Sequence, residues 1–210
     1  MTETNEQYTS EGISLFQKEH YDEAIKCLDK AIIIDPNNAY TWSWRGHSLY
    51  LLKRYEEAIK SYNTALSIDP GEINSSDQRD DSFLQVSRWD ANSWSCLGHS
   101  HYLLGHYEDA VKSLDKSLAI DPNHAFVWYN RGQSLFQLGR HEEAIQSYEK
   151  ALSLNPRDSN ALVSLGEALF QSGRYEEAFQ SFDYAILVNP GDMNAAKWWG
   201  KALYKIQHPD

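Results

Sequence analysis

Apolar residues recur along the chain with the three-to-four-residue spacing of amphipathic helices, and the helices come in pairs. In residues 125–158, Trp128, Leu135 and Phe136 mark a first helix that stops near Gly139. A second opens at His141 with Glu142 and Glu143 and ends before Asn155-Pro156. Glycine suits the left-handed geometry that ends helices, carboxylates complement a helix N-terminus, and the residue before proline disfavours helix. The same paired pattern returns at a fixed interval. Prolines preceded by Asp or Asn stand at Pro36, Pro70, Pro122, Pro156 and Pro190, spaced by 34, 52, 34 and 34 residues. The long spacing exceeds the others by 18, the length of the segment Ile73–Asp90. The chain therefore divides into units 5–38, 39–72, 91–124, 125–158 and 159–192, with a half unit at 193–206 and an insertion at 73–90. Repeats of this length cannot bury their apolar faces alone, so residues 1–210 are expected to form a single stacked array.

Gly12, Gly46, Gly98, Gly132, Gly166 and Gly200 all fall inside first helices. Each costs about 1 kcal/mol against alanine. A close helix crossing is expected to compensate, with Ala24, Ala58, Ala110, Ala144 and Ala178 as the small residues of the second helices and Tyr62 and Tyr148 filling the flanks. The paired acids, such as Glu56-Glu57 and Glu176-Glu177, sit in first turns, where surface charge complementing the helix dipole accounts for them.

These residues resemble the tetratricopeptide repeat. Its Trp, Leu-Gly, Ala and Pro pattern is matched by Trp94, Leu97-Gly98, Ala110, Leu114 and Pro122, and similarly in the other units. Arg45 and Arg131 depart from it by replacing the Leu before glycine. The resemblance implies an all-α fold, a right-handed α-α superhelix whose first helices line a concave groove. It also implies that register positions 2, 5, 9, 12 and 13 of each first helix face that groove. Those positions are Tyr40, Ser43, His47, Tyr50 and Leu51, then Asn92, Ser95, His99, Tyr102 and Leu103. They continue with Phe126, Tyr129, Gln133, Phe136 and Gln137, followed by Asn160, Val163, Glu167, Phe170 and Gln171. Aromatic rings interleaved with amide, hydroxyl and imidazole groups suit an extended peptide, with Tyr40, Phe126 and Tyr129 the least generic members. The final half unit adds Lys197, Lys201 and Lys205 at spacing four, read as a solvated face or as a seat for a ligand carboxylate. A subgroup of the family holds acidic chaperone tails with Lys, Arg and Asn side chains. Only Asn130 matches that set, so this specificity is not expected.

The formal charge of −11, from 30 acidic and 19 basic residues, argues against nucleic acid as a partner. Two distant cysteines, Cys27 and Cys96, suggest neither disulfide framework nor zinc site, and no apolar run is long enough to insert in a membrane. A cytoplasmic setting is expected. The eight histidines have no ligand spacing, and no nucleotide-binding or nucleophile motif is present, so neither a cofactor nor enzymatic activity is expected. In the insertion, residues 73–82 are polar and turn-prone, while Phe83, Leu84, Val86 and Trp89 form one face of a short helix capped at Asp80, Asp81 or Ser82. That face is expected to dock on a neighbouring surface, the alternative being a surface loop. The leading expectation is a non-enzymatic scaffold that binds a peptide or protein segment. The alternative is a homo-oligomer assembled through Trp198, Trp89 and the terminal helices.

Overall fold

A computed structural model describes residues 4–69 and 81–209, and of 81–89 the backbone only. Eleven helices and no strand occur among the described residues. The chain packs as two compact units, Met1–Asp121 and Pro122–Asp210. The first contains α1 (Asn5–Gln17), α2 (Tyr21–Ile34), α3 (Ala39–Leu51), α4 (Tyr55–Ile68), α5 (Asp81–Leu103) and α6 (Tyr107–Ile120). The second contains α7 (Ala125–Gln137), α8 (His141–Leu154), α9 (Ser159–Gln171), α10 (Tyr175–Val188) and α11 (Met193–Gln207). Successive helices pair at the 34-residue interval of the prolines, except that α5 begins ahead of its repeat.

Local chemistry fixes the helix ends. Four first helices open on a side-chain cap: Thr4 forms a capping box with Gln7, Asn38 accepts from the Thr41 amide, Asp158 from Ala161, and Asp192 from Asn194 and Ala195. Second helices lack such caps. Instead Arg54, Arg140 and Arg174 each bind the Glu three residues on through two N–H···O bonds of 2.7–2.8 Å. Largely accessible to solvent, these pairs add little to stability. The turn inside each pair needs a left-handed residue. Gly105, Gly139 and Gly173 supply it at φ 78°, 72° and 77°, whereas Glu19 and Lys53 adopt it at 63° and 60° despite carrying side chains.

The helix crossings explain the buried glycines. A Cβ placed on Gly12 would stand 2.8 Å from Leu28, on Gly46 2.7 Å from Tyr62, and on Gly98 2.6 Å from Leu114. On Gly132 it would stand 2.6 Å from Tyr148 and on Gly166 2.5 Å from Phe182. The bulky residue lies four positions beyond the alanine of the second helix and sits directly over the glycine. The alanine permits close backbone approach, since Ala24 O and Ala110 O come within 3.3 and 3.1 Å of the same Cβ positions. Gly200 differs: nothing lies within 4 Å of its Cβ position, so the expected compensation operates at five crossings and not at the sixth.

Adjacent pairs share apolar surface. In the first unit Ile25, Leu49, Ala58, Tyr62, Leu66 and Leu97 form one buried cluster drawn from α2, α3, α4 and α5. Arg45 enters this layer where leucine is the norm. Its Nε donates to Asp29 at 2.6 Å and its Nη1 to Ser61 at 2.7 Å, which satisfies a part-buried charge. Arg131 repeats the arrangement with Ser147 at 2.7 Å.

The insertion and the third repeat meet inside one helix. Rather than a separate short helix, the segment from Asp81 runs unbroken into the first helix of that repeat, giving α5 a length of 23 residues. The side chains of Phe83, Leu84, Val86 and Trp89 lie outside the described residues, as do residues 73–80. The consequence falls on Asp90, which stands at the register where Thr4, Asn38, Asp158 and Asp192 cap helices. A continuous helix offers it no free amide. Asp90 is only 1 % exposed and its Oδ1 has no hydrogen-bond partner among the described residues. Burial, reinforced by the nearby charge of Asp69, pushes its carboxyl up to about 7.

Two outcomes follow from this packing. Gly132→Ala is expected to lose about 1–3 kcal/mol, since Tyr148 is fixed by burial, while Gly200→Ala gains up to about 1 kcal/mol, both read by urea denaturation. For Asp90, the folded chain holds a proton that the unfolded chain releases near pH 4. Stability therefore falls as pH rises from about 4 to about 7 and is flat above. Asp90→Asn removes this slope, so its melting temperature exceeds the parent's at pH 8 and converges with it at pH 4.

Candidate ligand-binding faces on the first helices

Within the first unit, α1, α3 and α5 are joined laterally by polar side chains. Thr9 Oγ1 lies 2.9 Å from Thr41 Oγ1, Ser43 Oγ 2.8 Å from Ser93 Oγ, and Tyr50 Oη 2.5 Å from His99 Nδ1. These contacts sort the expected groove residues. Ser43 is fully buried and joins α3 to α5, and Ser95 and Val163 at the same register are 7 % exposed. The register-2 residues remain open: Tyr40 and Phe126 are 46 % and 48 % exposed, and Asn92 and Asn160 are exposed as well. At register 12 the aromatics of α3, α5, α7 and α9 pack on the first residue of the following helix. Tyr50 meets Tyr55, Tyr102 meets Tyr107, Phe136 meets His141 and Phe170 meets Tyr175, at centroid separations of 5.1–5.9 Å. That ring is part of the fold rather than a free contact.

The histidines of this face are neutral structural groups. Burial lowers the pKa of both His47 and His99. The His47 ring packs edge-on against Tyr62, with Nδ1 2.9 Å from the Ser43 carbonyl. His99 stacks on Tyr102, and the buried Tyr50 phenol, pushed up to about 12 mainly by desolvation, keeps its proton. No three histidine, cysteine, aspartate or glutamate side chains converge on a metal-sized site among the described residues.

Two recesses open on these faces. In the first unit a cavity of about 280 Å³ lies between α1 and α3, lined by Asn5, Glu6, Thr9, Ser10, Ile13, Asn38 and Tyr40. Of these, sequence reasoning singled out only Tyr40. The same register frame applied to residues 5–38 places Glu6, Thr9 and Ile13 at positions 2, 5 and 9, so the signal was there. In the second unit a polar cleft of about 70 Å³ is lined by Gln133, Phe136, Gln137, Tyr148, Ser164 and Glu167. Gln133 Nε2 donates to Tyr129 Oη at 2.5 Å. Asn194 Nδ2 donates to Glu167 Oε1 at 3.2 Å. Desolvation is the largest influence on the Glu167 carboxyl and raises its pKa, against hydrogen bonds from Asn194 and Trp198 and a weaker pull from Lys201. Asn130 is 2 % exposed, with Nδ2 lacking a partner among the described residues, so it does not present a carboxylate-binding amide to solvent.

The last helix closes the second unit with both its tryptophans. Trp199 packs on Phe179 at 5.1 Å. Trp198, the ring assigned to self-assembly under the alternative reading, meets Phe170 at 5.3 Å and stacks on Phe182 at 6.1 Å. Lys197 and Lys201 are exposed, and Lys201 Nζ stands 3.9 Å over the Trp198 ring. Lys205 lies 6.0 Å over Tyr175. The lysine stripe thus rests partly on aromatic faces.

Paired helices at a regular interval, crossing over buried glycines and presenting one open face per first helix, define a helical-repeat array. The chain belongs to the tetratricopeptide repeat family. Models described as tetratricopeptide or TPR repeats match residues 12–53, 39–72, 89–157 and 129–196, and the gap between them coincides with the insertion. Solved structures share this all-α solenoid fold. MamA protein aligns with a TM-score of 0.77 at 25 % identity, over 90 % of this chain and 94 % of that one. MamA from Desulfovibrio magneticus RS-1 gives 0.74 at 17 %, over 92 % and 99 %. YrrB, described as a TPR protein with an unusual peptide-binding site, gives 0.77 at 19 %, over 91 % and 89 %. No curated protein matches the sequence itself. No helix among the described residues is long and apolar enough to cross a membrane.

Proposed function

We propose that this protein is a non-enzymatic interaction scaffold that takes a peptide or an extended protein segment on the first-helix faces of its units. The observation that carries this reading is the pair of register-2 rings. Tyr40 and Phe126 remain close to half exposed, although every register-12 ring beside them is packed into the fold. Exposed aromatics beside amides and hydroxyls combine apolar burial with backbone hydrogen bonding, the usual chemistry of peptide recognition. The description of YrrB as peptide-binding supports the reading at the level of fold. Of the other groove residues, Asn92, Asn160, Gln133 and Glu167 supply polar contacts, while Tyr129, Tyr102, Phe136 and Phe170 furnish the walls. The net charge of −11 favours partners that are not polyanions. Affinity capture from lysate is expected to recover proteins with the parent chain that Tyr40→Ala/Phe126→Ala fails to recover while melting at the parental temperature. Identical recoveries from both would refute the groove reading.

A second reading, self-association, draws on apolar side chains left open on α2, α10 and α11. Ile33 of α2 is 82 % exposed, Leu187 of α10 73 % and Met193 of α11 82 %. Light scattering across a hundred-fold concentration range decides it. A mass that rises with concentration supports assembly, and a constant monomer mass excludes it.

A further inference from the structure

We propose that the cleft between α7 and α9 is a receptor for an arginine side chain of the bound peptide, an inference that rests on the peptide-binding reading above. The cleft is rich in acceptors. Glu167 contributes a carboxylate, Ser164 a hydroxyl, and Gln133 and Gln137 amide oxygens, with the Gln133 amide nitrogen already engaged by Tyr129. Phe136 and Tyr148 border it as packed parts of the fold, so its open surface is almost entirely polar. A guanidinium carries five donors in a planar fork and so matches this set of acceptors, whereas an ammonium offers three donors around a compact charge.

Charge and size point the same way. Glu167 is the only acid at register 9, where the other first helices carry Ile13, His47, His99, Gln133 and Lys201. Its carboxylate is desolvated and held by neutral donors, Asn194 and Trp198, while the nearest cation of the same wall, Lys201, lies on the Trp198 ring. A half-buried carboxylate without a close counter-charge gains most from a cationic ligand. At about 70 Å³ the cleft exceeds twice the share of one water, about 30 Å³, which suits a guanidinium head group and not a whole residue. One carboxylate among amides is too few charged oxygens for a divalent cation.

Two experiments test the proposal separately from the groove reading. In the first, Nα-acetyl-arginine methylamide is titrated into the ¹⁵N-labelled full chain. Saturable shifts are expected at Gln133, Ser164 and Glu167. The neutral citrulline analogue is expected to bind about ten-fold more weakly, as is the arginine compound to Glu167→Gln, the ratio one charge-assisted hydrogen bond commands. Equal binding of arginine and citrulline, equal binding of the lysine analogue, or no shifts at the cleft would overturn it. The citrulline comparison needs no variant, so it stands even where Glu167→Gln melts early. In the second, a displayed library of random dodecapeptides is selected on the parent chain and on Glu167→Gln. An arginine fixed at one position of the parent consensus and lost with the variant supports the proposal. Selected peptides without that arginine sink the subsite and leave the groove reading intact. Failure to select any peptide, with arginine methylamide still shifting the cleft, sinks the groove reading alone.

Discussion

The structure depends on one contact repeated five times: a bulky side chain of a second helix seated on a glycine of the first. Without a Cβ at Gly12, Gly46, Gly98, Gly132 and Gly166, the two backbones approach closely enough for Leu28, Tyr62, Leu114, Tyr148 and Phe182 to lie across the partner helix. The ring or isobutyl group then has no freedom left, as its near-zero exposure shows. With the pair locked, everything else is placed by register. Position 5 falls between neighbouring first helices, position 12 falls on the next helix of its own pair, and position 2 is what remains for solvent or a ligand. The candidate binding faces are thus residues of a packing scheme and not independent constructions.

Much of the fold was legible in the sequence because its signals are periodic. Proline spacing, helix-interior glycines and paired acids each recur in every unit, so a chance match at one unit is corrected by the others. The pairing of helices follows directly, while the start of α5 does not. The site was less legible because register assigns a direction but not a neighbour. Ser43 has the right register for a groove and is nonetheless consumed by Ser93 of the adjacent helix. Trp198 looked spare on the sequence and is in fact packed between Phe170 and Phe182. Glu167 was assigned to that face by register, yet nothing in the sequence showed that Asn194 and Trp198 would hold it while Lys201 lay over a ring.

Asp90 shows how an insertion acts at a distance from its own residues. Elsewhere the cap residue starts the helix, and its side chain satisfies amides that would otherwise be bare. Extending α5 toward Asp81 gives those amides carbonyl partners instead, and leaves the aspartate buried with an oxygen unmatched. The added helical turns and the lost cap are therefore two sides of one change at the boundary of the third repeat. The aspartate itself is ordinary; its surroundings are not.

Gly200 gives the array a property that the five occupied glycines do not share. Its open Cβ position corresponds to the five that a leucine or an aromatic ring of a second helix covers, and the helix bearing it is anchored through Trp198 and Trp199. An added helix with a bulky residue at the matching register would meet the same bare backbone there.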